Sequence, residues 1–140
     1  MITRFVKLNH GWNAEPNAPD PVVRIDGQTV ILTFEVNTFK FADATPGRAE
    51  LVFSGCWRYR LGGTNDEGWY AGQCRFSHVA PAWGEFYEVM YEVDGDLQVN
   101  RVTGWRALGP PIQRTRHFLF YFRDETFECD ANEWTATFPR

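Results

Sequence analysis

Three short segments place large aromatic rings beside carboxylates, amides or glycines, and these residue types suit ligand binding. The segments are Trp12-Asn13-Ala14-Glu15, Gly68-Trp69-Tyr70 and Trp83-Gly84-Glu85-Phe86-Tyr87. Rings of this kind bury a large area, and the polar groups beside them direct hydrogen bonds, as in ligand pockets and interfaces. The sequence therefore predicts ligand or partner binding by Trp12, Glu15, Trp69, Tyr70, Trp83, Glu85 and Tyr87. The same rings suit the core of a small β protein equally well.

The three histidines are the candidates for acid–base chemistry, because imidazole titrates near neutral pH. His10 begins the segment HGWN, and His78 precedes Val79-Ala80-Pro81. An enzyme or ligand site would pair His10 or His78 with Glu15 or Glu85, next to rings that raise the pKa of a carboxyl. For each histidine the ordinary alternative is a hydrogen-bonded structural role, and His117 begins an apolar strand on its more polar face.

Arg58 and Arg60 alternate with Trp57 and Tyr59, so the two guanidiniums share one face of a predicted strand. On a face that lines a cup, they would attract a carboxylate or a phosphate. On a solvent face, they would be ordinary charges that keep the strand soluble. The sequence favours the solvent face, since the opposite face is more apolar and should pack in the core.

An acidic run spans residues 124–133, with five carboxylates at Asp124, Glu125, Glu128, Asp130 and Glu133. The spacing does not match a calcium loop, which needs oxygens at alternate positions and a central glycine. We interpret the run as a solvated face, with an acidic patch for a basic partner or a divalent-ion site as alternatives.

Sequence motifs of common enzymes and cofactor sites are absent, including GxGxxG, GxxxxGK[ST], HExxH and GxSxG. Cys56, Cys74 and Cys129 are an odd number without CxxC spacing, which is unfavourable for a disulfide framework or a zinc site. We therefore assign no catalytic residue, metal or cofactor, and expect reduced, mostly buried thiols.

The charge balance, 14 Lys and Arg against 18 Asp and Glu, gives a net charge of −4. An acidic chain disfavours a general nucleic-acid binder. Binding of single-stranded nucleic acid would need Arg58, Arg60, Arg75 and Arg106 on one face with the rings.

No stretch reaches the ~20 apolar residues of a membrane span, and the N-terminal residues lack the apolar run of a signal peptide. We therefore expect a cytoplasmic protein.

The elements that must position these residues are strands. Phe outnumbers Leu, and β-branched residues are frequent. Apolar side chains alternate with polar ones over residues 29–36, 49–61 and 117–123. Shorter strands are predicted at 4–8, 22–25, 70–76, 86–93, 97–108, 126–129 and 135–138. Turns are predicted at Asp26-Gly27, at 62–68 and at Asp94-Gly95-Asp96.

These patterns predict one antiparallel β domain over residues 1–140, an all-β barrel or two-sheet sandwich of about eight to ten strands. At most a short helical turn is expected, best placed at residues 77–83, where Pro81 interrupts it. Residues 9–21 fit no regular element, and we predict an ordered surface loop that Trp12 pins down.

Over most of its length the chain resembles a group of small, uncharacterised bacterial proteins. The resemblance rests on HGWNAEPNAPDP (10–21), GCWRYRLGGTNDEGWYAGQCRFS (55–77), APAWGEFYEV (80–89) and RHFLFYFRDETFECDANEW (116–134). It implies a bacterial, cytoplasmic setting, and it implies no activity, cofactor or partner.

Two functions follow as hypotheses. The favoured one is a non-enzymatic binding protein, in which an aromatic-rich, acid-flanked surface recognises a protein partner as immunity or regulatory proteins do. The alternative is a small-ligand-binding β-barrel or a small enzyme, with an aromatic-lined pocket that uses Glu and His. A homodimer is a further alternative, because unpaired edge strands of two copies of the chain can pair with each other.

Overall fold

The computed structural model describes residues 3–63, 65–72, 76, 79–90 and 104–140. Within these ranges the chain forms two antiparallel sheets and one helix of five residues. The sheets stack face to face without closing into a barrel, so the all-β prediction is confirmed in its sandwich form. None of the helices in the described ranges is long and apolar enough to cross a membrane.

The elements in chain order are β1 (Arg4–Lys7), β2 (Val22–Asp26), β3 (Thr29–Glu35), β4 (Arg48–Ser54), β5 (Arg58–Gly62), α1 (Asp66–Tyr70), β6 (Phe86–Met90), β7 (Arg106–Ala107), β8 (Arg116–Tyr121), β9 (Thr126–Ala131) and β10 (Glu133–Thr137). The larger sheet has the order β1-β6-β8-β9-β5-β7, and the smaller sheet has the order β10-β4-β3-β2. The predicted Asp26-Gly27 turn joins β2 to β3, with Asp26 opposite Thr29.

The core lies between the two sheets because apolar side chains occupy every second position of the strands that face each other. The smaller sheet contributes residues such as Leu32, Phe34, Leu51 and Phe53, all fully buried. The larger sheet contributes a set of phenylalanines: Phe86, Phe118, Phe120 and Phe127. The period-two pattern read from the sequence is therefore genuine along these strands.

The predicted strand over residues 49–61 is wrong as a single element, because the chain leaves one sheet and enters the other at Gly55. Strand β4 belongs to the smaller sheet and β5 to the larger one. Gly55 has a φ of +61°, in the left-handed region that a side chain rarely adopts. This kink lets Cys56 point into the core while Arg58 and Arg60 leave it.

The predicted strand over 70–76 also fails in its described part. Asn65 caps a helical turn instead, since its side chain accepts the Gly68 N–H at 2.8 Å and Asp66 and Glu67 occupy the first turn. In the described part of the short helical turn expected at 77–83, residues 79–83 form turns and bends. Of the predicted strand 97–108 the described part is 104–108, where Arg106–Ala107 form a strand. The predicted turn at Asp94-Gly95-Asp96 lies outside the described residues, as do Cys74, Arg75 and His78.

The outer face of the larger sheet carries a second apolar layer over its β6–β8 half. Its members are Trp69, Phe76, Ala80, Tyr87, Val89, Leu119 and Tyr121, with Phe5 and Trp83 packed against them. The segment around α1 therefore covers one half of this face. The other half, on β9 and β5, is charged.

Substituting Gly55 by alanine should lower the free energy of unfolding by about 2 kcal/mol, because the left-handed conformation costs a side chain ~1–2 kcal/mol. The new Cβ would also overlap the side chain of Asn132. Urea denaturation measures the loss.

The matched control is Gly27→Ala, whose φ is +59° but whose Cβ would meet nothing within 4 Å. It should cost about 1 kcal/mol, from the backbone alone. An equal loss in the two variants would contradict the proposed close approach at Gly55.

Candidate functional site

A cleft at one end of the sandwich is lined by the loop that contains Trp12; we call it the end cleft. Its volume is about 580 Å³. The lining residues are Gly11, Trp12, Asn13, Val36, Asn37, Phe138, Pro139 and residues 40–45. The wall is mainly apolar and includes the rings of Trp12, Phe41 and Phe138, and the Asn, Lys and Asp side chains supply a few polar groups.

Trp12 is the residue that joins the end cleft to the core. Its ring stacks on Phe34 with centroids 5.9 Å apart and packs against Phe138 at 5.1 Å. The prediction that Trp12 holds down the 9–21 loop agrees with this packing. An isolated bridge between Ala14 and Val36 fixes the same loop through its backbone.

A smaller cleft of about 270 Å³ adjoins the end cleft, since Asn13 and Asn37 line both. Its wall includes Glu15, Trp83 and Glu85. Four of the predicted binding residues, Trp12 and these three, therefore line two neighbouring clefts.

The predicted acid–base pair is not assembled among the described residues. The Glu85 carboxylate accepts the Asn9 Nδ2–H at 2.5 Å and lies 3.5 Å from Lys7 Nζ. His10 is exposed and lines neither the end cleft nor the adjoining cleft. His78, the other candidate, lies outside the described residues. Among the described residues, the partners of Glu85 are the Asn9 amide and the Lys7 ammonium.

The remaining predicted aromatics lie elsewhere. Trp69 and Tyr87 are buried in the outer apolar layer, whereas Tyr70 is 70% exposed. Burial raises the pKa of Tyr87 to about 12, although the hydrogen bond to Ala82 acts in the opposite direction. Trp69 and Tyr87 therefore behave as structural rings and Tyr70 does not, so the predicted aromatic residues do not share one surface.

A charged network occupies the other half of the outer face, and its centre is His117. The imidazole Nδ1 lies 2.8 Å from Asp130 Oδ1, and Nε2 lies 3.1 Å from Glu128 Oε1. Arg58 Nε binds Asp130 at 2.5 Å, and Arg60 Nη1 binds Glu128 at 2.8 Å. Glu128 is 1% exposed, His117 5% and Asp130 7%. We call these five side chains the charged network.

The geometry fixes the number of protons that His117 and its two carboxylates share. Each contact needs one proton between nitrogen and oxygen, and a neutral imidazole has only one N–H. Either His117 is an imidazolium, or one carboxyl is protonated and donates to it. In both cases the charges of these five described side chains sum to +1, from three positive and two negative groups or from two positive groups and one negative group. No group of three or more His, Cys, Asp or Glu side chains in the described ranges is arranged to hold a metal ion.

Opposing effects set the pKa of Asp130. Burial alone raises it, but the hydrogen bonds and charges of His117 and Arg58 outweigh burial and hold the pKa below its usual value. For Arg60, burial lowers the pKa of the guanidinium.

Two interpretations of the sequence are wrong here. Arg58 and Arg60 do not face solvent as edge charges, since their side chains are only 15% and 14% exposed. Nor is the 124–133 run wholly a solvated face, because Glu128 and Asp130 are buried. Arg58 also lies 4.5 Å from the Trp57 ring and 4.2 Å from the Trp105 ring, so aromatic faces enclose it.

The sequence contained a signal for this network, namely arginines two residues apart and carboxylates two residues apart. Antiparallel pairing of β5 with β9 sets Arg58 opposite Asp130 and Arg60 opposite Glu128. The pairing of β8 with β9 then sets His117 opposite Asp130. The charged network is not predicted from the sequence pattern, because that pattern does not say which strands pair.

Comparison of the chain with protein-family models, curated proteins and solved structures found no match. The function is therefore argued from the geometry of the clefts and the charged network.

Replacing Asp130 by asparagine should lower the free energy of unfolding at pH ~7 by about 3 kcal/mol, because it removes one partner of a buried ion pair. The pH dependence has a defined sign. The folded-state pKa is depressed, so this stabilisation is present above the unfolded pKa of ~3.9 and is lost as the pH falls through the folded pKa. The variant should therefore lose less stability below pH ~4 than the wild type.

Urea denaturation at several pH values measures this effect. The exposed Asp124 is the matched control, and Asp124→Asn should change stability by less than about 0.5 kcal/mol. An Asp130→Asn protein as stable as the control would contradict a stabilising role for the network.

Proposed function

We propose that this protein binds a small molecule with an apolar ring in the end cleft. The observation that supports the proposal is a cleft of about 580 Å³ with Trp12, Phe41 and Phe138 in its wall. Small-molecule sites have volumes of roughly 300–1,000 Å³, apolar and aromatic walls, and a few polar groups that orient the ligand. The end cleft has each of these properties.

The polar groups of the end cleft indicate how a ligand would be oriented. Asn13 and Asn37 lie where the two clefts meet, and both side chains already hold the loop backbone. Asn13 donates to the Gly84 carbonyl at 2.7 Å, and Asn37 accepts the Phe39 N–H at 3.0 Å. Lys40 is exposed, so its ammonium supplies a positive charge for an anionic substituent. A ring against the aromatic wall with a negative group near Lys40 fits best.

We propose binding rather than catalysis, because in the described part of the chain Glu85 contacts Asn9 and Lys7 and not His10, one of the two histidines of the enzyme hypothesis. Burial of Trp69, Tyr87, Glu128 and Asp130 also removes much of the aromatic, acid-flanked surface proposed for a basic protein partner. Single-strand nucleic-acid binding loses Arg58 and Arg60 to carboxylates in the same way. A protein partner and a homodimer stay predictions of the sequence.

We also propose a bacterial, cytoplasmic setting, on the sequence resemblance. Cys56 and Cys129 are free and buried, which supports a reducing compartment.

The test uses anilinonaphthalene sulfonate, which combines an apolar ring system with an anionic group. Titration followed by fluorescence should show saturable binding, and Phe41→Ala should raise Kd about five- to tenfold, equivalent to about 1–1.4 kcal/mol. Indole, titrated by NMR, tests the ring without the charge and should shift the resonances of residues 40–45.

Phe39 provides a matched control two positions away. Its ring is 84% exposed and does not line the end cleft. Phe39→Ala should change Kd less than about twofold. Equal losses in the two variants, or no saturable binding of either probe, would overturn the proposal.

A further inference from the structure

A third cleft, of about 400 Å³, lies on the outer face of the larger sheet, beside the charged network. It shares no lining residue with the end cleft. Three arginines, Arg58, Arg114 and Arg116, line it together with Trp57 and His117. We call it the arginine cleft.

We infer that the arginine cleft binds a small oxyanion with two negative charges, a phosphoryl or dicarboxylate group. The inference goes beyond the proposed function and does not depend on it. It rests on the sum of the charges of the described side chains around the cleft, on Arg114, which forms no ion pair with a described residue, and on the size of the cleft.

Most charges around the cleft are balanced by internal partners. Arg116 makes two hydrogen bonds to Glu88, at 3.1 and 2.7 Å, and this pair is neutral as a unit. Arg58 and His117 belong to the charged network, which keeps one net positive charge. The built-in carboxylates therefore do not neutralise the wall of the cleft completely.

Arg114 adds a second positive charge. Its side chain is exposed and lines the cleft, and it forms no ion pair within the described part of the chain. Its φ of +62° places a non-glycine residue in the left-handed region, which is unfavourable for a residue with a side chain. Backbone strain of this kind is found at ligand-binding sites, where surrounding structure maintains it.

The described side chains around the cleft therefore sum to about two positive charges, which matches the −1.5 to −2 of a phosphate group near pH 7. A guanidinium recognises such oxyanions through paired N–H donors. Trp57 and Ile112 supply apolar wall next to these charges, and a volume of about 400 Å³ admits a small organic substituent beside the anionic group.

Inorganic phosphate, malonate and acetate are the probes, titrated into the full chain by calorimetry and NMR at constant ionic strength in chloride. Phosphate or malonate should bind at least about fivefold more tightly than acetate, because the site has two charges to neutralise. A preference for phosphate identifies a phosphoryl ligand, and a preference for malonate identifies a dicarboxylate. The resonances of residues 114–117 should shift on binding.

Arg114→Gln should raise Kd for the preferred dianion at least about fivefold, and Arg114→Glu should abolish binding. The control is Arg24→Gln, since Arg24 is an exposed arginine on β2 of the smaller sheet. It should change Kd less than about twofold. Unchanged binding in both Arg114 variants, an equal loss in the control, or acetate binding as tightly as the dianions would overturn the inference.

The outcome is separable from that of the proposed function. Arg114 does not line the end cleft, and Phe41 does not line the arginine cleft. Each variant therefore tests one cleft, with the other cleft as an internal check that the protein is folded.

Discussion

Charged side chains can be removed from water only when each has an opposite partner, and this constraint organises the outer face of the larger sheet. Basic and carboxyl side chains alternate along the hydrogen bonds of the charged network, from Arg58 through Asp130, His117 and Glu128 to Arg60. A shift of β5 by one residue along β9 would turn both arginines toward the apolar core, because side chains alternate between faces. The network therefore specifies the register of β5, β9 and β8 as well as contributing to stability.

Because side chains alternate between the two faces of a strand, the larger sheet contacts the core on one face and the outer layer on the other. Phe118 and Phe120 point from β8 into the core between the sheets, whereas Leu119 and Tyr121 point to the outer layer under α1. Since β8 is apolar on both faces there, it lies at the centre of the larger sheet. Where the covering layer ends, at His117, the outer face becomes charged, and the arginine cleft lies at this boundary.

Both clefts lie where regular structure gives way to loops. The end cleft lies where the 9–21 loop and residues 40–45 meet the end of the sandwich, and Trp12 links its wall to Phe34 in the core. Rigid strands thus position the loops whose side chains line the cleft, which is a common arrangement in binding proteins. The two clefts differ in chemistry, one aromatic and one cationic, and they are separate candidates for recognition.

Period-two alternation by itself determined the all-β class, most strands and the Asp26-Gly27 turn, because these depend on neighbouring residues. The placement of aromatic rings beside polar residues in the sequence identified Trp12, Glu15, Trp83 and Glu85, which meet at adjoining clefts. Tertiary structure alone decided that the chain changes sheets at Gly55, that Asn65 starts a helix, and that His117 unites two arginines with two carboxylates. These features depend on which strands pair. A polar face of a strand reads the same in the sequence whether it is exposed to water or buried against charged partners on other strands, so hydrophobic alternation cannot distinguish the two.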